Sequence, residues 1–538
     1  MEINKKGVMD KFENISDDKY RMYASLAFMT VVIIVGVPMW WKTTEVYRVS
    51  LPSADILSLG DSIARTSVNV GIFTFNPERS ALLVKELEES FSDSEIWQIN
   101  FQAIQQINNA ATTKTPAALE TLILKQYPLS VGDFIFIEWP KLAEDILLTT
   151  DRSALFKTET SAAKMKLVLN VLLLQTFKIQ EMHHQNERSA IKSDAPQAEY
   201  DVVISVLNPR PDIMDAKWNI KMATETYIAP FLSEVNQVSN FTLKTQWKYQ
   251  VAFEADLKQI RDNTKIGRHY AISESSLPHI ITSIEKNLGV GITDKSAINL
   301  VVYIPPCEIA PLHIYTRQNK PATLNNVDSF ISPKWGGIII ANPPIETCIT
   351  YNNEPQPVSF YVNTNDVMQI MLYQLQKLLD IIVDTKIDGV KVVDLVQIAP
   401  RRWEYESYIR RSTISHIITA SHTLQSLLKL LDNISYIVIN DDVGQAINEA
   451  YTNILQAKTL LASSDLVNAS IFAKRAYISS EQAFFDSSLL AQLYFPDEQK
   501  YAIYIPLFLP IMVPVITSFS MVRKLYTKLS SAKKLKIS

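Results

Sequence analysis

The sequence predicts a mixed α/β domain with a helical C-terminal part, flanked by two transmembrane helices. Three observations carry this prediction. Uncharged apolar stretches lie near both ends, short β-branched runs bounded by Pro and Asn lie between them, and the last hundred residues before the second stretch have helical periodicity. With 538 residues, 47% apolar and 20% charged, the chain can build a large core and has little of the composition of bulk disorder.

Taken in order, residues 1–21 are a short charged tail and Met22–Trp41 is the first uncharged stretch. Tyr501–Val522 is the second, and 523–538 is a basic tail. At about 1.5 Å per residue either stretch crosses a hydrocarbon core of roughly 30 Å. The first is too long for the apolar part of a signal peptide, and Pro38-Met39-Trp40-Trp41-Lys42 offers no small-residue cleavage site. Cations cluster outside the stretches, at Lys5, Lys6, Lys11, Lys19 and Arg21 and again at Arg523, Lys524, Lys528, Lys533, Lys534 and Lys536. The positive-inside rule then puts both termini in the cytosol and residues 42–500 on the far side. Three N-x-[ST] acceptors fall there, at Asn240, Asn433 and Asn468, as a secretory lumen would use. Asn14 should stay bare on the cytosolic side. The end, Lys534-Leu535-Lys536-Ile537-Ser538, has the form of a dilysine retrieval signal and equally of a basic stop-transfer flank.

The region 42–400 reads as the α/β domain. Phe134–Ile137, Val202–Leu207, Ile298–Ile304, Gly337–Ala341, Thr347–Tyr351 and Val358–Val362 are strand-like. Helices are expected at about 77–90, 160–182, 214–236 and 363–382. The region 401–500 reads as all-helical. Ile414, Ile417, Ile418, Leu424, Leu428 and Leu431 share one face. Asp442 is the expected cap of a second helix, with Gln445 at the capping-box position. Small residues at Ala469, Ala473, Ala476, Ser480 and Ala483 mark a third, whose small face is either packed in a bundle or a groove for a partner helix. In the second apolar stretch Pro506, Pro510 and Pro514, spaced by four, share a face that should pack on other protein helices or on a wet, protein-lined cavity, with Leu507 and Ile511 turned towards lipid.

Catalytic chemistry finds little support. Only 12 glycines are present, and no phosphate-cradling or nucleophile-elbow motif. A net charge of −4 disfavours a nucleic-acid binder. Nothing calls for a cofactor or a metal. His183 and His184 are adjacent in a polar stretch read as a loop; His416 and His422 are six apart, off the spacing of a helical metal pair; His269, His279 and His313 are single. Cys307 has no activating neighbour, so a disulfide with Cys348 or a buried thiol is expected ahead of a catalytic thiol.

Several segments resemble the PIG-S family. They are Trp41-Lys42-Thr43-Thr44-Glu45-Val46-Tyr47-Arg48-Val49-Ser50-Leu51-Pro52, Ile228-Ala229-Pro230-Phe231-Leu232 and Ser276-Leu277-Pro278-His279-Ile280-Ile281. To these add Ser332-Pro333-Lys334-Trp335-Gly336-Gly337-Ile338 and, most extensively, Phe484–Leu490 with Leu493–Pro510. The resemblance implies a non-catalytic subunit of the glycosylphosphatidylinositol (GPI) transamidase in the endoplasmic reticulum membrane, with two spans around a large lumenal domain. It implies as partners the cysteine-protease-like catalytic subunit PIG-K, PIG-T, PIG-U and a metallopeptidase-like subunit, and contact with proprotein and GPI lipid. The competing alternatives are a membrane-anchored lumenal hydrolase and a structural subunit of another membrane assembly.

Overall fold

The computed structural model describes residues 17–535 apart from 18, 45–46, 62–63, 105–106, 108–112, 189–195, 262–266, 289–294, 319, 322–326, 354–356, 383–384, 394–399, 434–436 and 490–496. Two compact units are resolved. One comprises residues 54–425 and 448–481; the other comprises 1–53, 426–447 and 482–538.

The larger unit is mixed α/β. Its first sheet orders β16 (Val390–Val392), β4 (Ile146–Leu148), β5 (Ser153–Phe156), β3 (Phe134–Glu138), β1 (Thr66–Phe73) and β2 (Trp97–Ala103). Strands β2, β1, β3 and β5 are parallel, and β4 is antiparallel to β5. The second sheet orders β13 (Val327–Ser332), β14 (Gly336–Ala341), β11 (Ser296–Tyr303), β6 (Glu199–Asn208) and β8 (Asn240–Tyr249). It is parallel except for β13. A parallel sheet is covered on both faces, so its strands become continuous apolar runs. Every residue of β3 and of β14 is buried accordingly. Helix Pro116–Gln126 seats Leu119 and Ile123 with Ile135, Ile137 and Leu155. Helix Leu277–Leu288 seats Ile280 and Ile284 with Val301, Ile338 and Ile340. Three strands, β12 (Leu312–Tyr315), β10 (Arg268–Ser273) and β9 (Lys258–Arg261), make a small third sheet. A further pair joins β15 (Val358–Tyr361) to β7 (Met214–Lys217).

Four local expectations need correction. Thr347–Tyr351 is helical, inside Ile345–Asn353: the Pro343-Pro344 pair presets the start, and the Thr347 amide donates to the Pro344 carbonyl at 3.0 Å. The expected helix over 214–236 begins late, because Met214–Lys217 is recruited as β7 and the Asn219 side chain caps the helix at Met222. His183 and His184 lie within helix Thr176–Arg188, not a loop; their side chains are outside the described residues. The second C-terminal helix, Asp441–Ala462, is capped by Asn440, whose Oδ1 accepts from the Val443 amide at 2.8 Å, rather than by Asp442.

The C-terminal helices otherwise follow the periodicity, at Arg402–Asn433, Asp441–Ala462 and Leu466–Phe484. Ala469, Ala473, Ala476, Ser480 and Ala483 are all buried, so the small face is packed within the chain. Lys19–Met39 is a 21-residue helix long and apolar enough to cross a membrane. Asp497–Leu535 is a 39-residue helix with Pro506, Pro510 and Pro514 inside it.

Candidate functional site

Both cysteines are spent on structure. Cys307 and Cys348 form a disulfide with Cα atoms 5.1 Å apart, both largely buried. His269 and His313, 44 positions apart in sequence, become neighbours because β10 and β12 pair in parallel. Their rings meet edge to face at 5.5 Å. His269 Nε2 lies 2.6 Å from the Tyr315 hydroxyl. His313 Nδ1 lies 2.7 Å from Asp328 Oδ2, which also accepts from the Ile314 amide. The sequence shows these histidines as single; the fold makes them a buried pair that fastens β10, β12 and β13 together. His416 is fully buried with Nε2 2.7 Å from the Pro196 carbonyl, and burial pushes the imidazole down to about 4. His279 is exposed and His422 half-buried. Among the described residues no group of three or more His, Cys, Asp and Glu is arranged to hold a metal.

Helix Arg402–Asn433 carries buried charges that its apolar stripe conceals. Glu406 Oε1 accepts from Arg152 Nε at 2.5 Å and Glu406 Oε2 from the Gly132 amide at 2.9 Å. Arg410 donates to the Gly132 and Leu173 carbonyls. Arg411 donates to Gln175 Oε1 and to Asp380. Burial raises the Glu406 carboxyl and lowers the Arg410 guanidinium. Each charge is held by several hydrogen bonds, which is the condition for burying it. Arg410-Arg411 and Glu404-Glu406 within an otherwise apolar helix are the sequence signal for this network.

A cleft of about 810 Å³ opens at the amino ends of β6 and β11. The segment Pro333-Lys334-Trp335 forms one wall, and Lys178, Asp380 and Arg411 lie across from it. The wall depends on two glycines. Gly336 has φ +153, and a Cβ there would meet the Asn299 carbonyl oxygen at 1.8 Å. A Cβ on Gly337 would meet Gln374 Oε1 at 2.3 Å. The Asn299 amide donates to the Trp335 carbonyl, and Gln374 Nε2 donates to the Phe330 and Ile338 carbonyls. The Trp335 indole N–H is buried without an acceptor. An adjoining cleft of about 760 Å³ shares Lys178, Lys377 and Asp380 and includes Gln175, whose Nε2 also lacks a partner.

In the smaller unit the two terminal helices touch. Met22, Ser25, Met29 and Val32 are withdrawn from solvent on one, and Val515, Ser518, Val522 and Leu525 on the other. Ser25 Oγ stands 3.8 Å from Met521 Sδ, which brings the two helices together. The strap after the first helix is tied down: Arg48 bridges in parallel to Ile439, and the Tyr47 hydroxyl donates to Asp441 at 2.9 Å. Pro506, Pro510 and Pro514 are exposed. Of the sequons at Asn240, Asn433 and Asn468, Asn433 and Asn468 are exposed, while Asn240 is half-buried with Oδ1 accepting from Lys474 at 2.7 Å. Asn14 and the side chains of Leu507 and Ile511 lie outside the described residues.

A large mixed α/β body in a chain whose N-terminal helix is long and apolar enough to cross a membrane defines a membrane-associated protein. Comparison with known proteins is specific. The phosphatidylinositol-glycan biosynthesis class S protein pattern, PIG-S, matches residues 27–528, and the chain belongs to that family. The GPI-anchor transamidase component PIGS of Bos taurus is 30% identical over 541 residues, covering 92% of this chain and 93% of the relative. The human protein of the same name is 30% identical over 536 residues with the same coverage. The GPI transamidase component GPI17 of Saccharomyces cerevisiae is 22% identical over 537 residues, covering 95% of this chain and 93% of the relative.

Proposed function

We propose that this chain is a non-catalytic subunit of the GPI transamidase, which replaces a C-terminal signal on a proprotein with a GPI lipid in the endoplasmic reticulum. The observation that carries this is the near full-length similarity to relatives named as components of that enzyme. The partners are the cysteine-protease-like catalytic subunit PIG-K, PIG-T, PIG-U and the metallopeptidase-like subunit. The chain spans the membrane twice, through Lys19–Met39 and the apolar part of Asp497–Leu535, with both tails cytosolic and the α/β body lumenal. The contact between the two terminal helices, Ser25 with Met521, agrees with two spans that lie together. The basic clusters outside the two spans favour a cytosolic position for both tails. A lumenal position suits the Cys307–Cys348 disulfide. Acyl transfer between a bulky peptide and a lipid amine gains from holding both in register, and a large folded body beside the membrane can provide surface for that.

The test is rescue. In cells lacking their own PIG-S-type subunit, the full chain should restore surface display of a GPI-anchored reporter and co-purify with the other four subunits. Co-purification with a different membrane assembly, without rescue, would overturn the proposal.

A further inference from the structure

Helix Asp497–Leu535 divides into three faces. One is the seam already described, through Val515, Ser518, Val522 and Leu525. About 120° round from it Ile505, Leu509, Met512, Ile516 and Phe519 form an exposed stripe of large apolar side chains. Their spacing of four, three, four and three keeps them on one side of the helix, as a surface facing acyl chains requires. The third face holds Pro506, Pro510, Pro514 and Thr517, lies about 100° round from the seam and is also exposed. It is poor in large apolar side chains and different in chemistry. A proline has no N–H, so the carbonyls of Ala502, Pro506 and Pro510 lack the donor four residues on. Thr517 Oγ1 donates to the Pro514 carbonyl at 2.9 Å, so the chain supplies a hydroxyl on this face, one turn beyond the three carbonyls that need one. An unmet carbonyl in hydrocarbon costs several kcal/mol.

We propose that the face of Pro506, Pro510, Pro514 and Thr517 docks a transmembrane helix of another subunit, and that this helix carries Ser, Thr, Asn or Gln side chains donating to the Pro506 and Pro510 carbonyls. This rests on the two-span assignment above. The occupant is argued from the carbonyls: lipid tails offer no donors, and the first helix of this chain leaves Pro506, Pro510 and Pro514 exposed. Small and hydroxyl-bearing residues at such an interface also let backbones approach closely.

The test places a photoreactive amino acid at Val513, Thr517, Met512 or Ile516 of the full chain, assembled in native membranes. Thr517 and Val513, within and beside the proline face, should give adducts with one transmembrane segment of another subunit, with a hydroxyl or amide residue within a turn of the linked position. Met512 and Ile516 should give lipid adducts only. The double variant Pro510→Ala, Pro514→Ala restores both N–H groups, and with the Thr517 probe it should lower the protein adduct at least threefold at unchanged abundance. Lipid adducts at Thr517 and Val513, an adduct segment without donors, or an unchanged yield in the double variant would each overturn the proposal. Rescue of the reporter is scored separately, so a failed interface and a failed functional assignment give different results.

Discussion

Arg48 caps the helix that ends at Asn433: its Nη2 donates to the Leu431 carbonyl at 3.0 Å, and its Nε to the Ile437 carbonyl at 3.1 Å. Leu431 is one of the last four residues of the helix, whose carbonyls have no partner within it. The same strap pairs Val49 with the Ile439 carbonyl and packs the Val49 side chain where a Cβ on Gly444 would stand at 3.0 Å. A segment directly after the first apolar helix is thereby tied to the helical hairpin at residues 431–444. This gives a physical reason for the Tyr47-Arg48-Val49 part of the family-like motif.

Arg48→Ala should therefore cost about 1–3 kcal/mol, the scale of charge-assisted hydrogen bonds lost from carbonyls at a helix end. Arg48→Lys should recover only part, because a single ammonium cannot reproduce the two-pronged contact. Thermal unfolding of the detergent-solubilised chain, with limited proteolysis near residue 48, measures both. An Ala variant as stable as the parent would contradict the capping role.

Gly336→Ala should cost more than about 2 kcal/mol, since the new Cβ overlaps a backbone carbonyl in a parallel ladder that has no room to move. Gly267→Ala is the control. Gly267 also has positive φ, +70, but meets nothing within 4 Å, so only the backbone term of roughly 1 kcal/mol remains. Equal losses for the two would mean that close approach, rather than conformation, is unimportant at Gly336.

His416 predicts acid sensitivity. Its folded value of about 4 lies below the ordinary 6.5, and burial is the first cause, with Lys474 adding repulsion and the Pro196 hydrogen bond opposing. The unfolded chain therefore takes up the proton first. Stability is unaffected above about pH 6.5 and falls as pH drops towards 4, by on the order of 3 kcal/mol. His416→Gln, which keeps a donor for the Pro196 carbonyl, should flatten this slope in unfolding curves taken at successive pH. Raised Glu404, Glu406 and Glu481 run the other way, since the folded chain holds their protons more tightly. A variant with the parent's full slope would assign the effect elsewhere.

What the sequence revealed depended on how each element is buried. Val202–Leu207, Ile298–Ile304 and Gly337–Ala341 lie in a parallel sheet covered on both faces, so they are continuous apolar runs that announce themselves. Strand β8, Asn240–Tyr249, is the sheet edge and mixes Thr, Lys and Gln with aromatics, so no run marks it. Thr347–Tyr351 has strand-forming composition, yet two prolines before it and the tether at Cys348 settle it as helix. The His269–His313 pair depends on the register of β10 with β12, which no local pattern encodes. The cleft depends likewise on a turn, Lys334-Trp335-Gly336, whose glycine marks a close approach but not what lies beyond it.

Removing the disulfide should separate stability from turnover. It bridges residues 41 apart, and in the chain-entropy picture a loop of that size is worth about 3–4 kcal/mol. Cys307→Ala and Cys348→Ala should each lower the unfolding temperature, and the double variant should lose no more than either alone. Turnover per assembled complex should stay at the parental level, because neither sulfur is a free thiolate. An assembled, folded Cys307→Ala complex without activity would assign that sulfur a chemical role.

Glycan occupancy should follow side-chain availability. Asn468 is exposed near the start of its helix, its Nδ2 bonded only to the nearby Asp465 carboxylate, and Asn433 is exposed at a helix end. Asn240 differs: its Nδ2 faces Glu199 at 3.4 Å while its Oδ1 accepts from Lys474, an ammonium whose own value is lowered by burial. A sugar on that Nδ2 would displace the Glu199 contact and strand part of the polar cluster at the start of β8. Endoglycosidase treatment of the full chain from a eukaryotic secretory pathway should therefore give a mobility shift that Asn433→Gln and Asn468→Gln reduce and Asn240→Gln leaves unchanged. Asn240→Gln should instead lower the unfolding temperature modestly, by the roughly 1 kcal/mol of a displaced partly buried hydrogen bond. A glycan mapped to Asn240 would show that the Lys474 contact yields to modification, and one mapped to Asn14 would invert the proposed orientation in the membrane.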